Sequence, residues 1–326
     1  MVYNTGTMAS LLAKGRLSFI FLSAFLFLFL ASCGGGADRK NSDTPTMGRI
    51  KVGIEESYRL MLDAQIYTFE SFYKYADIDT LYTNEADLIN AFMNDSIPLI
   101  IVGRTLSENQ IQYLKERQYI PKITKIAIDA VAFILHKDNS DTNFFYQNIK
   151  EIFEGKLTRW NQINSKSKLG SIEVIFDHFK SANPRYFKDK FKIDSLPPTC
   201  FATKNNQEVI DYVETHPGAI GVIGVNWISD KTDSVSNRFL KRVKVAGISM
   251  EGDNDPGSTF YKPYQAYIAE GSYPFTREVF CINRQTYTGL AYGFSSFIAG
   301  EKGQLIILHS GMVPAAMPVR IVEIKH

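Results

Sequence analysis

From Arg49 onward the chain alternates short β-like runs with stretches of helical periodicity, and this alternation constrains the fold more than any other feature. It is the pattern of an α/β domain. "IPLIIVG" (Ile97 to Gly103) and "KIAIDAVAFIL" (Lys125 to Leu135) are rich in Ile and Val and nearly free of charge, so they read as buried strands. Between them, "YRLMLDAQIYTFESFYKYA" and "EADLINAFMND" carry apolar residues at helical spacing. A second α/β set follows: "NIKEIFEGKLTRWNQI", "SIEVIF", "SANPRYFKDKF", "NQEVIDYVETHPG" with its Gly stop, and "AIGVIGVNWI". Residues 229–264 are irregular and polar around one strand, "RVKVAGI"; after them come a strand, "YPFTREVFCI", and a Gly-punctuated helical pair, "GLAYGFSSFIAGEKGQLIILHSG".

The amino end lies outside this pattern. Lys14 and Arg16 precede "LSFIFLSAFLFLFL", whose 14 uncharged residues fall short of the ~20 of a comfortable membrane span but suit a secretory h-region. It ends in Leu30-Ala31-Ser32-Cys33, which resembles the bacterial lipobox. That resemblance implies a lipoprotein signal peptide over residues 1–32 and an acylated Cys33; the plainer alternative is an uncleaved signal anchor. Residues 33–48, with "GGGADRKNSDTPTMG", read as a flexible tether. Removing the leader takes Lys+Arg from 36 to 34 against 34 Asp+Glu, a net charge of zero, which argues against a nucleic-acid partner. Cys200 and Cys281 can pair in an exported protein or stay as buried thiols. The five histidines and remaining cysteines show no metal-ligand spacing, so no metal and no cofactor is expected.

Five segments in order, "IAIDAVAFILHKDN", "EIFEGKLTRWNQI", "GAIGVIGVNW", "YPFTREVFCI" and "FSSFIAGEKGQLIILHSGMVPA", resemble the phosphate-type substrate-binding proteins of ABC importers. The resemblance implies the two-lobe type II periplasmic-binding-protein fold: two α/β lobes, two crossing strands, and a ligand cleft between the lobes. Lobe one would be residues 49–135 plus 265–326, and lobe two residues 136–264. The implied function is capture of a small oxyanion, phosphate first, for delivery to an ABC permease from a lipid-anchored position in the cell envelope. A ligand-sensing or partner-docking envelope lipoprotein on the same fold is the alternative.

The resemblance also nominates a site. Ser57 and Tyr58 stand where the first strand's loop contacts ligand in the family, beside Glu55 and Glu56, which the phosphate pattern lacks. Thr83 and Asn84 are the donors after the second strand, next to Glu85. In "VGRTLSEN" Gly103 replaces the family's serine, leaving Arg104, Thr105 and Ser107. The third loop, "DHFKSANPR", keeps Ser181, changes the next two family residues to Ala182 and Asn183, and puts Asp177 where the family carries arginine.

Read from its own residues, that turn suits an anion, because a helix start offers unpaired N–H groups and Arg185 lies one helical turn beyond Ser181. Arg185 is expected to restore the missing charge, with Asp177 orienting it or accepting a proton from a monoprotonated phosphate. A buried carboxylate would then reject a fully deprotonated, sulfate-like anion. Asp129, alone in an apolar strand, must be hydrogen-bonded or paired and is read as a structural acceptor at the lobe crossing. Glu55/Glu56 and Asp177/His178 are the only tempting catalytic pairs, and neighbours in sequence usually point apart, so no enzyme is expected.

Overall fold

A computed structural model describes residues 43–228 and 239–316. The leader, Cys33 and most of the proposed tether lie outside the described residues. Among the described residues no helix is long and apolar enough to cross a membrane.

The first half of the fold comprises β1 (Met47–Glu55), α1 (Arg59–Phe72), β2 (Tyr75–Thr83), α2 (Glu85–Met93), β3 (Leu99–Val102) and α3 (Glu108–Glu116). These βα units give parallel pairing of β1 with β2 and with β3. Local chemistry sets the helix starts: Asn84 caps α2, and Ser107 with Gln110 forms a capping box for α3. The second half follows the long β4 (Lys122–His136): β5 (Asn143–Phe144), α4 (Tyr146–Phe153), β6 (Glu173–Phe176), α5 (Ala182–Phe191), β7 (Cys200–Ala202), α6 (Asn206–Thr215) and β8 (Ala219–Gly224). The chain then passes β9 (Val243–Val245), β10 (Gly247–Ile248) and α7 (Gln265–Glu270). It returns through β11 (Thr276–Asn283), α8 (Leu290–Ala299), α9 (Glu301–His309) and β12 (Val313–Pro314).

The main sheet runs β2-β1-β3-β11-β4-β8-β6-β7, with β9 and β12 also on β4. Strand β4 joins the halves because it changes partners partway along. Residues 122–130 pair with β11, whereas residues 131–135 pair with β8. The change falls between Ala130 and Val131, a few residues before the lobe boundary expected at Leu135, and the Val131 N–H is taken by the Phe275 carbonyl at 2.8 Å. The long apolar run of β4 is thus explained: each half of one strand is buried in a different lobe.

Alternation along the strands divides the core. In β3, Ile100 and Val102 pack with Leu88, Phe92 and Leu114 of α2 and α3, while Leu99 and Ile101 face the opposite core. In β4, Ala132 and Ile134 meet Val209, Ile210 and Val213 of α6, and Phe133 turns to the other side. There it joins an aromatic cluster with Phe153, Phe187 and Phe275, in which the Phe153 and Phe187 rings stack 4.2 Å apart.

One expectation changes, and one open alternative is decided. The fold begins before Arg49: β1 starts at Met47, and the Asp43 carboxylate accepts from the Leu290 N–H at 2.6 Å and the Tyr287 hydroxyl at 2.7 Å. Asp43 thereby serves the start of α8, work that a freely flexible tether would not do. Cys200 and Cys281 are both free and buried, on β7 and β11.

Candidate functional site

The ends of β1, β2, β3 and β6 come together where the two halves of the sheet meet. A polar interior lies between them. Glu55, Ser57, Glu85, Asp129, Asp177, Ser181, Asn183, Asn226 and Arg277 are all buried, an expensive set unless each finds a partner.

At the end of β1, Glu55 accepts from the Ser57 N–H at 3.1 Å, and the Ser57 hydroxyl lies 3.3 Å from its other oxygen. Glu56 points away to a bidentate bond with Arg59, so the two neighbouring acids do part company. Burial pushes the Glu55 carboxyl up to about 8, helped by the Asp177 charge and opposed by Arg277. Burial thus favours its protonated, neutral form. Tyr58 is fully buried, and its hydroxyl has no partner among the described residues.

After β6, Asp177 Oδ1 accepts from the Ser181 hydroxyl at 2.7 Å and from Asn183 Nδ2 at 3.3 Å. Because Ser181 is spent on Asp177, α5 starts without a side-chain cap, and Pro184 removes one further N–H from its first turn. Burial raises the Asp177 pKa, against the bonds from Ser181 and the charge of Arg277.

Arg185 does not turn to Asp177. It crosses to the other half of the molecule, forms a two-bond fork with Glu85, and donates to the Gly103 carbonyl at 3.2 Å and to Asp189 at 2.9 Å. The physical reason is the position of Glu85: buried at the first turn of α2, it needs a cation, and Arg185 faces it across the cleft. Arg104 joins the same acid, its Nε lying 3.5 Å from Glu85. Gly103 sits between these groups; a Cβ there would lie 2.8 Å from Tyr58 Oη and 3.4 Å from Ala182 Cβ. Only a glycine lets β3 end so close to both sides of the cleft.

The structure thus brings Ser57, Tyr58, Asp177, Ser181, Asn183 and Arg185 into one interior, with Arg104 at its edge. Thr105 is exposed, and Ser107 and Asn84 are occupied as helix caps. Thr83, Asn84 and Asp177 line an open cavity of about 470 Å³ at the cleft mouth, together with Arg59, His178 and Lys204.

Sequence reasoning missed Arg277. It lies opposite Asp129 in the β4–β11 register, 5% exposed, donating from Nε to Asp129 at 2.9 Å and from Nη1 to Asn183 Oδ1 at 2.8 Å. Burial opposes its charge, but Tyr58, Asp129 and Glu55 together raise its pKa above the ordinary guanidinium value. Asp129 is paired, as its isolation in an apolar strand required. The signal for Arg277 was the same: one arginine in an apolar run, "YPFTREVFCI", complementary to the one acid in "KIAIDAVAFIL".

Several contacts tie the halves of the molecule together here. The Trp227 indole N–H donates to the Ser57 carbonyl at 3.0 Å, Lys180 lies 3.5 Å from Asp87, and Arg277 reaches Asn183. Buried polar groups converging from strand ends and a helix start, between two lobes joined by crossing strands, define a two-lobe binding protein. The PBP superfamily domain matches residues 40–302, and the chain belongs to that superfamily.

Among individual relatives, the Phosphate-binding protein PstS of Bacillus subtilis is 19% identical over 314 residues, covering 92% of this chain and 94% of that protein. The protein of the same name from Borreliella burgdorferi is 22% identical over 301 residues, covering 88% and 97%. An ABC-type phosphate transport receptor from Vibrio cholerae shares the fold with a TM-score of 0.60 at 17% identity, over 82% of this chain and all of that one (100%). These relatives are named for binding and transport, not for catalysis, in keeping with the absence of any nucleophile–base pair from the sequence reading.

Proposed function

We propose that this protein captures phosphate in its inter-lobe cleft and presents it to an ABC permease, from a lipid-anchored position in the cell envelope reached through the leader and Cys33. The observation that carries the reading is the match along nearly the whole chain to proteins named as phosphate binders, 92% of it for the Bacillus subtilis relative. The cleft supports it with donors suited to an oxyanion: the uncapped start of α5, the hydroxyls of Ser57 and Tyr58, and Arg104 and Arg185 at the outer edge. Thr83, Asn84, Thr105, Asp177, Ser181 and Asn183 complete the proposed ligand-facing set.

One observation favours a second reading, a sensing or partner-docking lipoprotein without transport. Glu85 already occupies Arg185 and Arg104, and Asp177 stands where phosphate binders carry arginine, so the charges nearest the cleft are satisfied internally. Calorimetric titration with phosphate and then sulfate at neutral pH separates the two. Phosphate heat near micromolar, about 8 kcal/mol of binding free energy, supports capture; heat from neither anion supports sensing or docking.

A further inference from the structure

Arg277 lies on a crossing strand rather than on a loop at a strand end. Its surroundings are nevertheless those of an incomplete polar site. Nη2 is ion-paired with Asp129 Oδ2 at 2.8 Å, the oxygen that Nε also reaches, so the guanidinium retains N–H groups that this one oxygen does not take, while Asp129 Oδ1 is buried without a hydrogen-bond partner among the described residues. Among the described residues, Tyr58 Oη and both side-chain polar atoms of Asn226 are buried without partners. These groups are gathered around the guanidinium. Its Cζ lies 5.4 Å from the centre of the Tyr58 ring. A point one Cβ bond from the Gly224 Cα is 3.1 Å from Asn226 Oδ1, 3.5 Å from Asp129 Oδ2 and 3.7 Å from Arg277 Nη2.

A purely structural ion pair has no use for this arrangement. Each buried donor or acceptor left unmade is destabilising, and here such groups flank the guanidinium from two separate segments, the end of β1 and the turn after β8. A bound group with several acceptor oxygens would take the remaining guanidinium N–H groups together with the Tyr58 Oη and Asn226 Nδ2 donors. The guanidinium also connects to the uncapped start of α5 through Asn183, which is in that helix's first turn.

Resting on the reading of the cleft as an oxyanion site, we propose that Arg277 is the residue that recognises the anion, presenting directional guanidinium donors from the crossing strand, with Tyr58 and Asn226 as neutral donors beside it. The carboxyls around it are compatible with this role. Asp129 neutralises one charge of the pair, while burial favours the protonated forms of Glu55 and Asp177, which repel an anion far less than carboxylates would. The guanidinium keeps donors for the ligand because its planar fork presents five N–H groups and the protein takes only part of them.

The test is calorimetric titration of the full chain in detergent with inorganic phosphate, run beside a thermal melt. Two variants address Arg277. Arg277→Gln combined with Asp129→Asn replaces the ion pair by neutral, hydrogen-bonding side chains, so that neither buried charge stands alone. Arg277→Lys keeps a charge opposite Asp129 but loses the fork. The expected result is at least a 30-fold loss of phosphate affinity in the double variant and about tenfold in the lysine variant, with cooperative melting retained. A folded double variant binding within twofold of the unaltered protein overturns the assignment of Arg277 and leaves the anion reading standing. Should the double variant fail to fold, the lysine variant decides, and unchanged affinity there overturns the assignment. No phosphate heat from the unaltered protein overturns the anion reading itself, and the assignment with it.

Discussion

The ion pair at the strand crossing and the charge cluster at the cleft mouth use the same chemistry under different constraints. Arg277 and Asp129 are partners across adjacent strands, with side chains 3% and 0% exposed, so sheet hydrogen bonding holds them together. Arg185 and Arg104, 26% and 30% exposed, meet Glu85 at the mouth, and the Arg185 contact joins α5 of one lobe to α2 of the other. The inner pair can persist whatever the lobes do. The outer contact from Arg185 exists only while they are closed, which makes it a latch for the hinge-type motion such folds use.

Breaking the inner pair is expected to have the largest effect. Asp129→Ala leaves a buried guanidinium uncompensated and should cost about 3–5 kcal/mol, read as a lower urea midpoint at unchanged slope. A loss below about 1 kcal/mol would mean that Asn183 and water suffice for Arg277. Next comes Gly103→Ala, which places a methyl 2.8 Å from Tyr58 Oη and against Ala182 of the opposite lobe. Overpacking of this kind costs about 1–3 kcal/mol, and much of it can be relieved by opening, so small-angle scattering should show a larger radius of gyration. Unchanged scattering and stability would show that the two faces adjust without separating.

Glu85→Gln addresses the latch. With Arg185 and Arg104 partly in solvent, the expected cost is only about 1 kcal/mol, accompanied by faster amide exchange at the start of α5 but not in β4. Equal acceleration in both would erase the distinction between the two centres. Least at low pH is the effect of Glu55→Gln. Burial raises the Glu55 pKa from 4.5 to about 8, so the folded state holds a proton that the unfolded state has released. Stability is then fullest below about 4.5 and falls as pH rises toward about 8. The groups facing Glu55 are Asp177, Arg277, Glu85 and Ser57, and the glutamine variant should flatten this slope while the others remain.

Much of the fold was readable because its signals are local. The apolar runs of β3 and β4 and the Gly stop before β8 act within a few residues, whereas Asn84 and Ser107, read as ligand donors, serve as helix caps. The division of β4 between lobes was less visible, since both of its halves are equally apolar and only pairing reveals where the partner changes. The candidate site was readable in part. Ser57, Tyr58, Asp177, Ser181 and Asn183 do converge, but which acid takes which arginine depends on distances across the cleft. Sequence spacing offered Asp177 to Arg185, four helical positions from Ser181; the folded chain offers Glu85, 100 residues away. Asp43 was assigned to a tether because its composition is that of a linker, and its bond to the start of α8 spans 247 residues.

Phosphate affinity as a function of pH tests whether this cleft takes an anion despite its acids because burial favours the protonated form of Glu55. Between about pH 8 and 10 phosphate stays a dianion, so its affinity for the unaltered protein should fall at least tenfold as Glu55 ionises, while Glu55→Gln should stay flat over the same range. Affinity that holds or rises toward pH 10 in the unaltered protein would mean that the Glu55 proton does not govern anion binding.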